Sequence, residues 1–300
     1  MLYRDILVIK GNYNSFERYY IDNLNKCGIR CESIFNSDSI FRKISNHAKL
    51  PFEYIWYNGW KHDLSSFENI VIFDSICNSN IVKFLKNKTK AKIIFWHWNP
   101  IKTKQDLKIY SETKFICEHW TFNELDAKKY SMNLSNQFFF IQKDNPTNKE
   151  NKAFFVGADK GRYDVLLKLS SLFKTNGIKC DFHVVDANKK GMYYQKNFIE
   201  YLEVLKSVKN SKYLVEITQD GQNGLTARAL EAMFCKTKLI TNNKEIVNLP
   251  FYNKMNIFIY GKDNEEDFSL FIHSPFLEIS KKHLYKFSAE GWIESLIKNF

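Results

Sequence analysis

Short apolar runs alternate with amphipathic segments along the whole chain, and that alternation leaves few folds open. Residues 5–10 read as a buried strand. Residues 15–27 read as a helix with Phe16, Tyr19, Tyr20, Leu24 and Cys27 on one face and Gly28 just past its end. Further strands are expected at 29–35, 69–74, 92–98, 115–120 and 137–142. Residues 143–152 hold no apolar residue except Pro146 and form the best linker. Beyond it the order repeats, with strands near 153–156, 178–185, 212–217, 238–241 and 256–260 and helices between them. Such alternation predicts an α/β protein with two doubly wound parallel sheets, whose ligands bind beyond the strand carboxyl ends, in a cleft between the domains.

The expected division is a first domain over 1–145, a second over 152–279 and a terminal helical stretch over 280–300. A chain of 300 residues with 44% hydrophobic content can fill two cores of about 150 residues each. No apolar run reaches membrane-spanning length, and the first residues lead straight into a strand, so neither a transmembrane span nor a secretory signal is expected. The six cysteines, 27, 31, 77, 117, 180 and 235, show no C-x-x-C spacing. They read as small buried hydrophobes in a reducing cytosol, and nothing in their spacing requires a metal.

Two segments carry the chemistry. In 216–232 an apolar strand runs into a polar loop with Gly221 and Gly224, then into a helix bearing Arg228 and Glu231. A strand, a glycine-bearing loop and a helix N-terminus offer unpaired N–H groups and a positive dipole end to a phosphate, and Glu231 offers a carboxylate to sugar hydroxyls. A plainer reading stands beside it: the glycines shape a turn, Asn223 is an N-cap, and Arg228 and Glu231 are an i,i+3 pair. In 153–167 a buried strand ends at Val156-Gly157, followed by a loop with Lys160, Gly161 and Arg162 and then a helix. Glycine permits close backbone approach, while Lys160 and Arg162 offer a point charge and a planar fork to a diphosphate. The spacing is not that of a P-loop.

Together the two segments resemble the C-terminal domain of GT-B glycosyltransferases, whose retaining branch carries a Val-Gly strand end, Lys-Gly and a helix, then a Glu, seven residues and Glu-Ala. Val156-Gly157, Lys160-Gly161 and Glu231-Ala232 fit, whereas Asn223 replaces the first acidic residue, which in that family contacts the donor sugar. The resemblance implies that Glu231 binds the ribose and Lys160 the diphosphate; Gly157, Asn223, Gly224, Leu225, Thr226 and Arg228 join the candidate donor site by their place in the two strand-to-helix junctions, and Arg162 is added on charge alone. Substitution of Glu231 by Ala is then expected to abolish donor binding with the fold intact. Thr121-Phe122, Asp126-Ala127 and Tyr130 resemble a pattern of bacterial lipopolysaccharide and capsule glycosyltransferases. In GT-B enzymes the last helix often returns to the first domain, and Trp292, Ile293, Leu296 and Ile297 offer the stripe for that contact; a plain surface helix of the second domain is the alternative.

The first half should hold the acceptor and any acid or base. His97, ending a strong apolar strand between Trp96 and Trp98, is the first candidate, as a neutral contact to the donor sugar or as a base; a half-buried structural histidine is the alternative. Asp74 is the second, or a helix cap. His119 and Glu118 are weaker.

These readings converge on a cytoplasmic, metal-independent glycosyltransferase without a cofactor. Its partners would be a nucleotide-sugar donor and a bacterial glycan or lipid-linked oligosaccharide acceptor. The net charge of +11 calls for an acidic surface, and the anionic inner face of the cytoplasmic membrane fits it, giving peripheral attachment. Nucleic acid ranks lower because the aromatic residues fall inside strand-like runs. Surface coating by lysine is a third account of the charge. A nucleotide-sugar hydrolase or epimerase, or a noncatalytic basic binding protein, are the alternative functions.

Overall fold

The computed structural model describes residues 3–36, 53–75, 79–218 and 224–298, and the chain divides into two compact units. The first comprises Met1–Asn136 together with Ala289–Phe300, and the second Gln137–Ser288.

The first unit is a six-stranded sheet, all parallel, built from β1 (Ile6–Lys10), β2 (Arg30–Ser33), β3 (Asn69–Phe73), β4 (Lys92–His97), β5 (Glu118–Thr121) and β6 (Asn133–Leu134). Their order is β2-β1-β3-β4-β5-β6. Helices α1 (Ser15–Lys26), α2 (Asn80–Lys88), α3 (Lys104–Thr113) and α4 (Glu124–Tyr130) connect the strands. Asn14 caps α1 through its side chain, and Gly28, at φ 79°, ends it in the left-handed region that glycine adopts without penalty. Central strands β1, β3 and β4 are buried along nearly their full length, as expected of a sheet covered on both faces.

The second unit repeats the plan with β7 (Glu150–Ala158), β8 (Lys179–Val185), β9 (Tyr194–Gln195), β10 (Ser211–Glu216), β11 (Lys238–Thr241) and β12 (Ile257–Ile259). Again every pairing is parallel, in the order β12-β11-β10-β7-β8-β9. Helices α5 (Tyr163–Thr175), α6 (Tyr201–Asn210), α7 (Ala227–Phe234), α8 (Glu265–His273) and α9 (Lys281–Lys286) belong to it. The last helix, α10 (Ala289–Ile297), is part of the first unit, where Trp292 packs against Phe73 and Trp96 at 5.6 Å between ring centroids. Two doubly wound parallel sheets in tandem are the α/β architecture that the alternation led us to expect.

Two expectations change. No strand forms over 137–142: Phe138, Phe139 and Phe140 are all buried, without the alternation of a half-covered strand, and only Phe139 makes an isolated bridge, to Ser288. Phe139 packs on Phe234, so this segment belongs to the second unit and the division falls at Asn136 rather than at 145. Nor is residue 149 plain linker. The Lys149 ammonium is held by the carbonyls of Lys209 (2.6 Å) and Cys235 (2.8 Å) and by Thr237 Oγ1 (2.8 Å), pinning the chain as it enters β7.

Candidate functional site

Strand order reverses direction between β7 and β10 in the second unit and between β1 and β3 in the first, and such switch points open crevices at the strand carboxyl ends. The chemistry-bearing residues collect at both.

At the second unit's switch point, β7 ends in Gly157 and Ala158 and turns tightly through Asp159 to Arg162, closed by Arg162 N–H donating to Asp159 O at 2.8 Å. Lys160 (φ 45°) and Gly161 (φ 81°) are both left-handed, a conformation that costs lysine of order 1 kcal/mol and glycine almost nothing. Asp159 organises the turn: Oδ1 accepts from Tyr163 N, and Oδ2 from Tyr194 Oη (2.8 Å) and Lys189 Nζ. The Lys189 ammonium holds its carboxyl below the usual range. Tyr163 stacks on Tyr194 at 4.2 Å, and a Cβ at Gly191 would strike the Tyr163 hydroxyl, so Gly191 is required for the returning loop to lie there. The Lys160 side chain is exposed.

Two guanidinium groups meet the end of β7. Arg162 Nη1 donates to Ala158 O at 3.1 Å and Arg228 Nη2 to Val156 O at 3.1 Å. Burial, then repulsion from Arg228, pushes the Arg162 pKa down. Its Nε is buried without a hydrogen-bond partner. A Cβ on Gly157 would make only ordinary contacts, 3.4 Å to Phe155 and 3.5 Å to Arg162 Nη1, so packing leaves room beside the guanidinium. Neighbouring β10 ends in Glu216, whose buried carboxylate accepts from Thr226 Oγ1 and from Thr241 Oγ1 (2.5 Å), with burial pushing its pKa up. Thr226, not Asn223, caps α7, accepting from Ala229 N at 3.3 Å; Gly224 and Leu225 form the partly exposed lead into that cap, and Asn223 lies outside the described residues.

Glu231 is placed differently from the sequence expectation. It is 2% exposed, with Oε1 accepting from Tyr201 Oη at 2.7 Å and Oε2 from Arg228 Nη1 at 3.1 Å. The carboxylate thus anchors Arg228 and is not open to ribose hydroxyls in this arrangement. Its removal would take the carboxylate from the half-buried Arg228 guanidinium and the acceptor from the Tyr201 hydroxyl, so the fold would not be indifferent to Glu231→Ala.

At the first unit's switch point, Lys10 ends β1 and Asp74 follows β3, while Gly11 N bridges to Ser75 Oγ at 2.8 Å. Lys10 is buried over the rings of Phe73 (4.9 Å) and Trp98 (5.6 Å), with Glu17 Oε1 at 3.6 Å; burial lowers its pKa, against the pull of Glu17. Asp74 keeps a partly exposed edge, yet most of its carboxyl is surrounded by protein, and this burial pushes its pKa up to about 7. The Asn99 N–H (2.8 Å) and the Lys10 ammonium oppose that rise. His97, ending β4, is 3% exposed, and its Nε2 lies 2.8 Å from His119 Nδ1. Burial pushes His97 down to about 3 and His119 to about 4, so both rings are neutral at physiological pH. Asp74 is therefore the better proton acceptor, and His97 a neutral hydrogen-bonding group. Lys10, Glu216 and His119 were missed or ranked low. Each of Lys10 and Glu216 is a charged residue closing a run of buried apolar residues, the same signal that singled out Asp74 and His97.

Among the described residues no group of three or more His, Cys, Asp or Glu is placed to hold a metal, and no helix is long and apolar enough to cross a membrane. The described cysteines 27, 31, 117, 180 and 235 are unpaired.

No family model and no curated protein matches the chain by sequence. Among solved structures, the chain is similar to a DNA-modifying β-glucosyltransferase studied with and without uridine diphosphoglucose, at 12% identity and a TM-score of 0.47 over 97% of this chain and 98% of that one. It is also similar to E. coli heptosyltransferase WaaC with ADP, at 10% identity and 0.39 over 85% and 92%. D-lactate dehydrogenase from Escherichia coli follows at 12% identity and 0.26 over 97% and 95%. These likenesses concern the chain trace.

Proposed function

We propose that this chain is a nucleotide-sugar-dependent glycosyltransferase that works without a bound metal ion. The observation that carries the reading is the pair Arg162 and Arg228, gathered at the end of β7 at a topological switch point, with room beside Gly157 and with Arg162 Nε unpartnered. Buried or half-buried guanidinium groups side by side repel each other, and a diphosphate between them removes that cost while accepting charge-assisted hydrogen bonds. Lys160, exposed on the adjoining turn, adds a mobile positive charge.

In this reaction an acceptor hydroxyl oxygen attacks the anomeric carbon and the bond from that carbon to the diphosphate oxygen breaks. The hydroxyl proton passes to Asp74, whose pKa of about 7 suits a general base. Charge developing on the leaving nucleoside diphosphate is stabilised by Arg162 and Arg228, which are already oriented by carbonyls and by Glu231. Direct displacement of this kind inverts the anomeric centre.

The acceptor we propose is a bacterial surface glycan of the lipopolysaccharide, O-antigen or capsule class, reached at the anionic membrane face. Support for it is the resemblance at Thr121 to Tyr130 and the net charge of +11. The motif residues themselves act locally: Thr121 Oγ1 accepts from Asn123 N at 3.1 Å and Asp126 Oδ2 from Ile101 N at 2.8 Å.

A thermal-shift screen against UDP, GDP, dTDP, ADP, CMP and their sugar conjugates, with and without EDTA, tests the reading. Stabilisation by one nucleotide family that persists in EDTA is expected. Stabilisation that EDTA abolishes would overturn metal independence, and no shift with any nucleotide would overturn the donor site.

A further inference from the structure

Buried Thr113, His119 and His97, with half-buried Cys117 beside them, form a chain of side chains through the first unit. Thr113 Oγ1 donates its only proton to Ile109 O at 2.6 Å, the carbonyl one turn back on α3. Facing it at 3.1 Å is His119 Nε2, so the threonine oxygen can offer that nitrogen nothing but a lone pair. The Cys117 thiol makes the same choice: Sγ donates to Thr113 O at 3.5 Å, and its sulfur lies 3.5 Å from His119 Nε2. Thr113, its proton spent on a close carbonyl, requires His119 Nε2 to carry a hydrogen, and a Cys117 thiol turned to Thr113 O presents that hydrogen with a second acceptor. A neutral ring then has a bare Nδ1, and His97 Nε2, 2.8 Å away, must be the donor. His97 in turn is left with an unprotonated Nδ1, to which no described residue hydrogen-bonds. Phe95 and Tyr110 pack against these rings, at 4.9 Å from His97 and 5.0 Å from His119, and hold their planes.

We propose that Thr113 and Cys117, acting through His119, are positioning residues that lock His97 in its Nε2–H tautomer, so that its bare Nδ1 accepts a hydrogen bond from a substrate hydroxyl at the carboxyl end of β4. The identity of that hydroxyl, a sugar hydroxyl of donor or acceptor, rests on the transferase reading; the tautomer does not. A histidine fixed this way orients a polyol without competing with Asp74 for the transferred proton. It also discriminates, since a deoxy sugar would leave the nitrogen unpaired.

The test is a long-range proton–nitrogen correlation spectrum of the whole protein with 15N-labelled histidine at pH 7, without substrate. The His97 and His119 signals are assigned by their loss in His97→Gln and His119→Asn. Both rings are expected as Nε2–H tautomers. A His97 ring found as the Nδ1–H tautomer, or charged, overturns the proposal. His119→Phe, which removes the acceptor, should release His97 into a tautomer mixture, while His119→Asn, whose amide oxygen can accept, should keep it locked; equal behaviour of the two would overturn the relay. Where a sugar donor is turned over, His119→Phe should lower kcat/KM about tenfold with nucleotide affinity unchanged, and His119→Asn should restore most of it. Because the tautomers are read on the protein alone, failure of every nucleotide to bind would remove the transferase reading and leave this assignment standing.

Discussion

Half-buried Arg228 and buried Glu231 form an i,i+3 pair, 3.1 Å between Nη1 and Oε2, and the same guanidinium reaches across to Val156 O on the neighbouring strand. One side chain thus ties α7 to β7, and the carboxylate that a sequence reader would hand to a ribose serves to aim an arginine instead.

Removing that carboxylate should therefore be a stability event. Glu231→Ala is expected to destabilise the protein by about 3 kcal/mol, because Arg228 and the Tyr201 hydroxyl both lose a buried partner. Urea unfolding of the variant measures it. A midpoint like that of the wild type, together with lost nucleotide binding, would return Glu231 to the donor contacts.

Arg162 should behave in the opposite way. Its guanidinium donates to the Ala158 carbonyl, and its Nε is buried without a partner, so Arg162→Gln should leave the melting temperature within a few degrees of wild type. Nucleoside diphosphate affinity should fall roughly 10- to 100-fold, the worth of charge-assisted hydrogen bonds. Calorimetry with a nucleoside as control decides the point, since an equal loss for the unphosphorylated nucleoside would exclude a phosphate role.

Asp74 links activity and stability to pH. Its folded-state pKa of about 7 stands above the ordinary 3.8. Between those values the folded protein keeps a proton that the unfolded chain has lost, so stability is highest below the unfolded value and falls as pH rises toward 7. Asp74→Asn should remove that slope, stabilising the protein above pH 7 by roughly 1.4 kcal/mol for each pKa unit of the shift. Transfer rate, by contrast, should rise through pH 7 in the wild type and be abolished in the variant. A wild-type profile that is flat from pH 5 to 9 would rule Asp74 out as the base.

Gly11 is a steric requirement of the first switch point. A Cβ there would lie 2.8 Å from Tyr13, 2.9 Å from Glu17 Oε1 and 2.9 Å from Ser75 Oγ. Gly11→Ala should cost about 1–3 kcal/mol by overpacking and should displace Glu17, the partner of Lys10. Thermal unfolding gives the first effect, and a neutral result would mean that the β1–α1 loop yields freely.

Much of this was legible along the chain, because burial on both sheet faces writes itself as apolar runs. Residues 238–241 and the helix from Ser15 were readable from pattern and caps alone. Patterning misread 137–142, where Phe139, the middle of three consecutive phenylalanines, meets Phe234 and the 287–288 backbone instead of a sheet, and it read Lys149 as linker because charge ordinarily means solvent. Of the candidate site, His97, Asp74, Arg162 and Arg228 were singled out as polar residues at strand ends and helix starts. Lys10 and Glu216 carried the same mark and were passed over.

By itself, the sequence determined the class of the fold and the edge where chemistry would gather, since both follow from local periodicity and from polar residues that terminate apolar strands. Only the tertiary structure decided what each group does. Strand order placed β7 beside β10 and β1 beside β3, creating the switch points. Long-range partners then turned Glu231 into a buried anchor, raised Asp74 to about 7 and set His119 behind His97. Periodicity is a property of neighbours along the chain, whereas protonation and hydrogen bonding depend on neighbours in space.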